Sequence, residues 1–183
     1  MNIGEELKQK GLVNLKYINS HIKFDLRYAT VNNITQKKLY SKSLCFVRQE
    51  VAEKLSLIQQ ELQKKGLILI MWDGYRPLRI QKFIWEAFPN SKYNTKISFH
   101  NKGIAVDLTL GDKKGNPLPM PTDFDIFGEQ SHHGFDRLSK DVIKNREILK
   151  SVMEKYGFES FEFEWWHYTY SKLKDAEVLD IPI

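Results

Sequence analysis

Hydrophobic positions recur along this chain with two different periods. From His21 to Tyr28, Ile22, Phe24 and Leu26 alternate with polar neighbours, the period of a strand. Over residues 48 to 65, Val51, Leu55, Ile58 and Leu62 recur at helical spacing, and Lys64-Lys65-Gly66 is a C-terminal stop. The apolar run LILIMW, residues 67 to 72, reads as a short buried strand that ends at Asp73-Gly74. Pro77 suits the first turn of a helix that turns Ile80, Phe83, Ile84 and Ala87 inward and stops at Pro89. Residues 104 to 110 predict another strand. Ser139 to Tyr156 predicts a helix capped by Ser139, with Leu149, Val152, Met153 and Tyr156 facing in and Gly157 ending it. FESFEFEWWHYTY follows as one further aromatic strand.

Strands and helices mix here without regular βαβ alternation. The pattern predicts an α+β fold: one domain over residues 1–183, with a central, largely antiparallel sheet flanked by helices. Residues 1–20 are its N-terminal lead-in and residues 170–183 its C-terminal tail. The stretch from 111 to 137 is rich in Gly, Pro, Asp and His and predicts a long irregular connection, of the kind that tends to carry function.

Composition narrows the picture only a little. Of 183 residues, 42% are hydrophobic and 13% aromatic, which fits a folded globular protein. Lys and Arg exceed Asp and Glu by 28 to 23, a net charge of +5 spread along the chain in pairs such as Lys37-Lys38 and Lys113-Lys114. A nucleic-acid binder concentrates such charge in a patch, so no nucleic-acid partner is expected. The single cysteine, Cys45, lies in the apolar LCFV and reads as a buried structural thiol. The N-terminal residues hold no apolar signal-peptide core and no segment is long enough to span a bilayer. A cytoplasmic chain with no membrane partner is expected. Oligomeric state is not legible.

The chemistry sits inside apolar runs. In SFHNKGIAVDLTL, residues 98 to 110, Asp107 shares strand parity with Ala105 and Thr109, opposite to Ile104, Val106 and Leu108. It therefore lies on the face away from the packed core, and a metal is one partner that stabilises a carboxylate so placed. His100, seven residues earlier, can fold back to the same point across Gly103. His167 closes Glu164-Trp165-Trp166-His167 and would complete a His, Asp, His set. Catalytic zinc commonly takes three protein ligands and keeps a fourth position for water, with a nearby carboxylate, here Glu164, as base. On a regular strand Glu164 and His167 face opposite sides, so a shared site requires an irregularity at Trp165-Trp166. H-x6-D and E-x-x-H are each weak signals; together they point to a metal. Arg76, in DGYRP, either lines a cleft, where it suits a carboxylate or a developing oxyanion, or makes a surface ion pair. His132 and His133 are adjacent, and an extended backbone points them apart.

These motifs resemble a known group. SFHNKGIAVDLTL is similar to the S-x-H-x-x-G-x-A-x-D-L-T-L motif of the D-alanyl-D-alanine dipeptidases, the VanX-like branch of the zinc D-Ala-D-Ala peptidases, and EWWHYT resembles their E-x-W-H signature. WDGYRP, the RYAT segment, the FD-to-SHH segment and the NR-to-GF segment also match, in order, from about Phe24 to Tyr168. The resemblance implies zinc-dependent hydrolysis of D-Ala-D-Ala or a related D-amino-acid dipeptide, with one Zn²⁺ per chain. It implies His100, Asp107 and His167 as ligands, Glu164 as base and Arg76 on the tetrahedral intermediate. It further implies Asp125 and Tyr28 at the substrate ammonium and Ser98 at its carboxylate. Two alternatives stay open: a murein carboxypeptidase or endopeptidase acting on longer cell-wall peptides, and a non-catalytic, hedgehog-like zinc module. The sequence departs from the pattern in a short Pro89–Ser98 stretch, in QKKLYSK at 36–42 and in Lys102; the first two predict a more open pocket.

Overall fold

The computed structural model describes residues 3–90 and 92–183. In chain order the elements are α1 (Ile3–Gln9), β1 (Leu12–Asn14), β2 (Lys23–Phe24), β3 (Phe46–Arg48), α2 (Gln49–Gln63), β4 (Leu67–Asp73), α3 (Leu78–Ala87), β5 (Ala105–Asp112), α4 (Lys140–Lys155), β6 (Phe158–Phe161) and β7 (Glu164–Tyr170), with short 3-10 turns between them. The main sheet runs β2-β4-β5-β7-β6, and β1 pairs with β3 in a small second sheet. Among the described residues only β2 and β4 pair in parallel; the other strand pairings are antiparallel. This is the α+β architecture that the hydrophobic periods predict.

One face of the sheet is an ordinary core. Ile104, Val106, Leu108 and Leu110 are fully buried, as are Leu55, Ile58 and Leu62 of α2 and Leu149 and Met153 of α4. The two helices touch each other, Lys155 and Tyr156 both reaching Glu61, and so cover the same face. Asp107 and Thr109, on the opposite face, are buried too, and the residues after Leu173 form a C-terminal strap. That strap packs Leu179, Ile181 and Ile183, and exchanges hydrogen bonds between Tyr75 and the Ile181 backbone.

Three local expectations change. FESFEFEWWHYTY is a hairpin of β6 and β7, because Glu162 and Phe163 turn the chain. HIKFDLRY pairs only at Lys23–Phe24 before a 3-10 turn at Arg27–Ala29, where Arg27 bonds back to Asp25. On α3, Ala87 is exposed, and Gln81 with Ile84 takes the buried positions. The helix N-cap at Ser139 forms as expected, its hydroxyl accepting the Val142 N–H. Cys45 is buried, and burial pushes its thiol well up, so it is an inert structural residue. No helix among the described residues is long and apolar enough to cross a membrane.

His133, in the long irregular connection, is buried against Tyr168, and neither ring nitrogen has a hydrogen-bond partner. Burial, then Lys150 and Arg146, bring its pKa down to about 4. The unfolded chain thus takes up a proton below its ordinary value of 6.5 before the folded one does. Stability that is present above pH 6.5 is therefore lost as pH falls toward 4, by up to about 3 kcal/mol from this residue. Urea unfolding between these pH values should show that loss, and H133L should remove it; an unchanged slope in H133L contradicts the assignment.

Candidate metal centre and active site

Three strands set one row of polar residues across the otherwise apolar sheet. Asp107 on β5 pairs with Asp73 on β4 and with His167 on β7. Each pairing depends on the register. The β4–β5 ladder slips between Met71 and Asp73, which brings Asp73 opposite Asp107. On the other side, Ser160 pairs with Tyr168 but Phe161 with Glu164, so Trp165, Trp166 and His167 are extra residues on β7. This irregularity falls where the Glu164–His167 spacing requires it, and it turns both side chains toward one cleft. Trp165 and Trp166 are fully buried and brace the kink.

His100 reaches the same point from the 3-10 turn Phe99–Lys102. Ser98 caps that turn, its hydroxyl accepting the His100 N–H while Asn101 accepts the Ser98 N–H. Gly103 leaves it at φ 70, where an added Cβ would meet Leu12 at 2.3 Å, so glycine is required at this position. His100 Nδ1 lies 2.7 Å from the Gly74 carbonyl. A carbonyl only accepts, so Nδ1 carries a proton and Nε2 faces the cluster.

The three groups converge. His100 Nε2 lies 3.2 Å from Asp107 Oδ2, and His167 Nδ1 lies 3.0 Å from Asp107 Oδ1 and 3.2 Å from His100 Nε2. One donor atom from each lies within 4.8 Å of the others. Burial pushes the Asp107 carboxyl up, but the two imidazoles more than offset it and hold it well below the carboxylate range. Burial lowers the His167 pKa, which favours the neutral, ligating form. Two imidazole nitrogens and one carboxylate, all facing a cleft, fit a tetrahedral zinc with one position open. Glu164 Oε2 is 3.9 Å from His167 Nδ1, and burial, with Asp107 and Asp125, raises its pKa well above the ordinary value.

Arg76 is buried, not in a surface ion pair. Its Nε and Nη2 both reach Asp73 Oδ2, at 2.8 and 2.7 Å, its Nη1 donates to Gln81, and its Nη2 is 3.4 Å from Asp107. The guanidinium lies 4.7 Å from the Tyr28 ring centre. Asp125 lines the same cleft and has φ 57, an uncommon backbone conformation for a residue other than glycine. Its Oδ2 accepts the Ile34 N–H and the Tyr28 hydroxyl, whereas Oδ1 has no bonded partner among the described residues. Burial pushes its pKa up to about 7. Ser98 lines the same cleft. The structure thus gathers all eight candidate residues around one cavity. His133 lies outside it, and His132 bonds instead to Tyr93.

Two residues near Arg76 escaped the sequence reading. Asp73 accepts from Tyr40 as well as Arg76, and its position at the end of an apolar strand was a usable signal. Gln81 accepts from Arg76 and donates to Asn94; a polar residue three before Ile84, on the inward face of an amphipathic helix, was the sign.

A family model described as D-ala-D-ala dipeptidase, Peptidase_M15, matches residues 8–180. The chain belongs to this family. D-Ala-D-Ala dipeptidases of this group are metallopeptidases, and the protein is an enzyme of that class. It is 34% identical to the D-alanyl-D-alanine dipeptidase of Escherichia coli K12 over 86% of this chain and 83% of that one. It is likewise 34% identical to the enzyme of that name from Enterococcus faecium, over 86% and 90% of the two chains. A third D-alanyl-D-alanine dipeptidase, from Enterococcus faecalis, is 32% identical over 87% and 91%.

Titrating zinc into metal-free protein should raise its unfolding temperature, since a ligand at ~1,000 times its Kd adds about 4 kcal/mol. In D107A the rise should vanish. An unfolding temperature indifferent to zinc in the parent protein contradicts the donor set.

Proposed function

We propose that this protein hydrolyses D-Ala-D-Ala, or a closely related D-amino-acid dipeptide, to free amino acids, and that residues 1–183 act as one zinc dipeptidase domain with a single Zn²⁺. The observation that carries the proposal is that two centres line one cleft: the His100, Asp107, His167 cluster with Glu164 beside it, and the open Asp125 Oδ1. When bound, zinc supplies a Lewis acid that polarises the scissile carbonyl and lowers the pKa of water to roughly 7.

The protein's own groups do the rest. Glu164 as carboxylate takes one proton from the attacking water, whose oxygen joins the acyl carbon, and passes that proton to the leaving nitrogen as the C–N bond breaks. A cation beside Glu164 favours that ionised form against its burial. Arg76, held in place by Asp73 and Gln81, offers positive charge to the carbonyl oxygen as it becomes an oxyanion. Asp125 Oδ1 receives the substrate ammonium. Burial, then Asp125, keep the Tyr28 hydroxyl protonated, so it donates to Asp125 Oδ2 and orients the carboxylate. The Ser98 hydroxyl accepts a backbone N–H and still has its own proton to give to the substrate carboxylate. A longer peptide would bring an uncharged amide to Asp125 in place of an ammonium, and would leave this buried carboxylate without a counter-charge.

E164Q should keep its zinc and lose turnover of D-Ala-D-Ala by at least about a thousandfold, within the usual worth of a general base. Retention of most activity would remove Glu164 from the role. A cell-wall pentapeptide should be hydrolysed far more slowly than D-Ala-D-Ala; the opposite order would make the enzyme a carboxypeptidase. Asp125 binds ammonium only when ionised, so KM should rise as pH falls below about 7, and zinc nearby shifts that limb to lower pH. D125N should raise KM and flatten the limb, and a parent KM constant from pH 7 down to about 5 counts against Asp125 as the anchor.

A further inference from the structure

The cleft is much larger than the dipeptide it is proposed to hold. Its volume is about 790 Å³, whereas D-Ala-D-Ala has eleven non-hydrogen atoms; sites of roughly 300–1,000 Å³ take drug-sized ligands. The surplus space is chemically one-sided. Phe88 and Phe127 stack with ring centres 5.1 Å apart and planes at 9°, Tyr93 lies 4.9 Å from Phe127, and Phe163 lies 6.3 Å from Tyr93. All four line the cleft and are only half-buried, so part of each ring faces the open space. Lys92 stands at the outer end, 4.5 Å from the Phe163 ring centre.

The position of this aromatic lobe relates it to one part of a substrate. Phe127 follows Asp125 by two residues, and Ile34, whose N–H holds Asp125 Oδ2, lines the same lobe. A shallower recess continues outward between Ile34, Phe88, Tyr93, Phe127 and Asp125 itself. In an α-amino acid the ammonium and the side chain share one carbon. An ammonium on Asp125 Oδ1 places its α-carbon next to the space these rings line, within reach of its side chain. The main chain does not continue that way, because the ammonium is its end.

On the dipeptidase reading above, we propose that this lobe is a side-chain subsite, and that the enzyme prefers dipeptides whose N-terminal residue carries a large apolar or aromatic side chain. Filling an apolar pocket in this way typically raises kcat/KM by about tenfold or more.

The test compares D-Phe-D-Ala and D-Leu-D-Ala with D-Ala-D-Ala on zinc-loaded protein. Both should exceed D-Ala-D-Ala in kcat/KM by about tenfold, mostly through KM. In F127A, and separately in Y93A, the ratio of D-Phe-D-Ala to D-Ala-D-Ala should fall about tenfold, whatever happens to each alone. D-Ala-D-Ala remaining the better substrate, or a ratio unchanged in both variants, overturns the proposal. So does equal turnover of N-acetyl-D-Ala-D-Ala, which would show main chain in the lobe. If no dipeptide is cleaved, the dipeptidase reading itself fails. Calorimetry on zinc-loaded E164Q then decides the lobe: tighter binding of D-Phe-D-Ala than of D-Ala-D-Ala, lost on adding F127A, supports it, and equal affinities refute it.

Discussion

A carboxylate buried in the middle of a sheet is the constraint around which this protein is arranged. Asp107 is 2% exposed, one strand away from a second buried acid, Asp73, which is 1% exposed. Two such charges side by side in a medium of low polarity are costly unless positive charge or good donors meet them. Arg76 meets both, and two imidazoles complete the surroundings of Asp107. What remains is a cluster of one carboxylate and two imidazoles that could hold a metal ion. A metal held there, as proposed, would offset the cost of that burial, and the burial would add to its affinity.

The rest of the architecture keeps that arrangement rigid. Two register slips, one in β4 and one in β7, place polar side chains in one row without breaking the apolar face that packs on α2 and α4. The C-terminal strap locks the turn after β4 through Tyr75, and Asn101 ties the His100 turn to the Arg76 carbonyl and to Leu179. Gln81 joins the Arg76 guanidinium to the 94–95 segment of the cleft wall. Asp107 on β5, Glu164 and His167 on β7 and His100 on a capped turn have the rigid anchoring that precise positioning of a small substrate would demand.

Much of this was legible in the sequence because it rests on local pattern. The parity of Asp107 against Ile104, Val106 and Leu108 placed it on the cleft face, and the conflict between Glu164 and His167 on a regular strand foretold the irregular β7. The helices α2 and α4 followed from apolar spacing with a clear stop or cap. What escaped depended on distant partners. No period reveals that Tyr40 will reach Asp73, or that Gln81 will serve Arg76, because those contacts join segments far apart in the chain. The β6–β7 turn was missed since Glu162 and Phe163 lack Gly, Asn or Pro, the usual turn residues. Asp125 and Tyr28 had no signal of their own and came only with the resemblance. No local pattern marked Phe88, Tyr93, Phe127 and Phe163 as the aromatic lining of one pocket.

The claim that matters most is that His100, Asp107 and His167 hold one ion. Crystals of the zinc-loaded protein, measured on either side of the zinc absorption edge, test it directly. One strong anomalous peak per chain is expected, about 2.0–2.2 Å from His100 Nε2, His167 Nδ1 and a carboxylate oxygen of Asp107. A peak bound elsewhere, or touching only one of the three side chains, would contradict it.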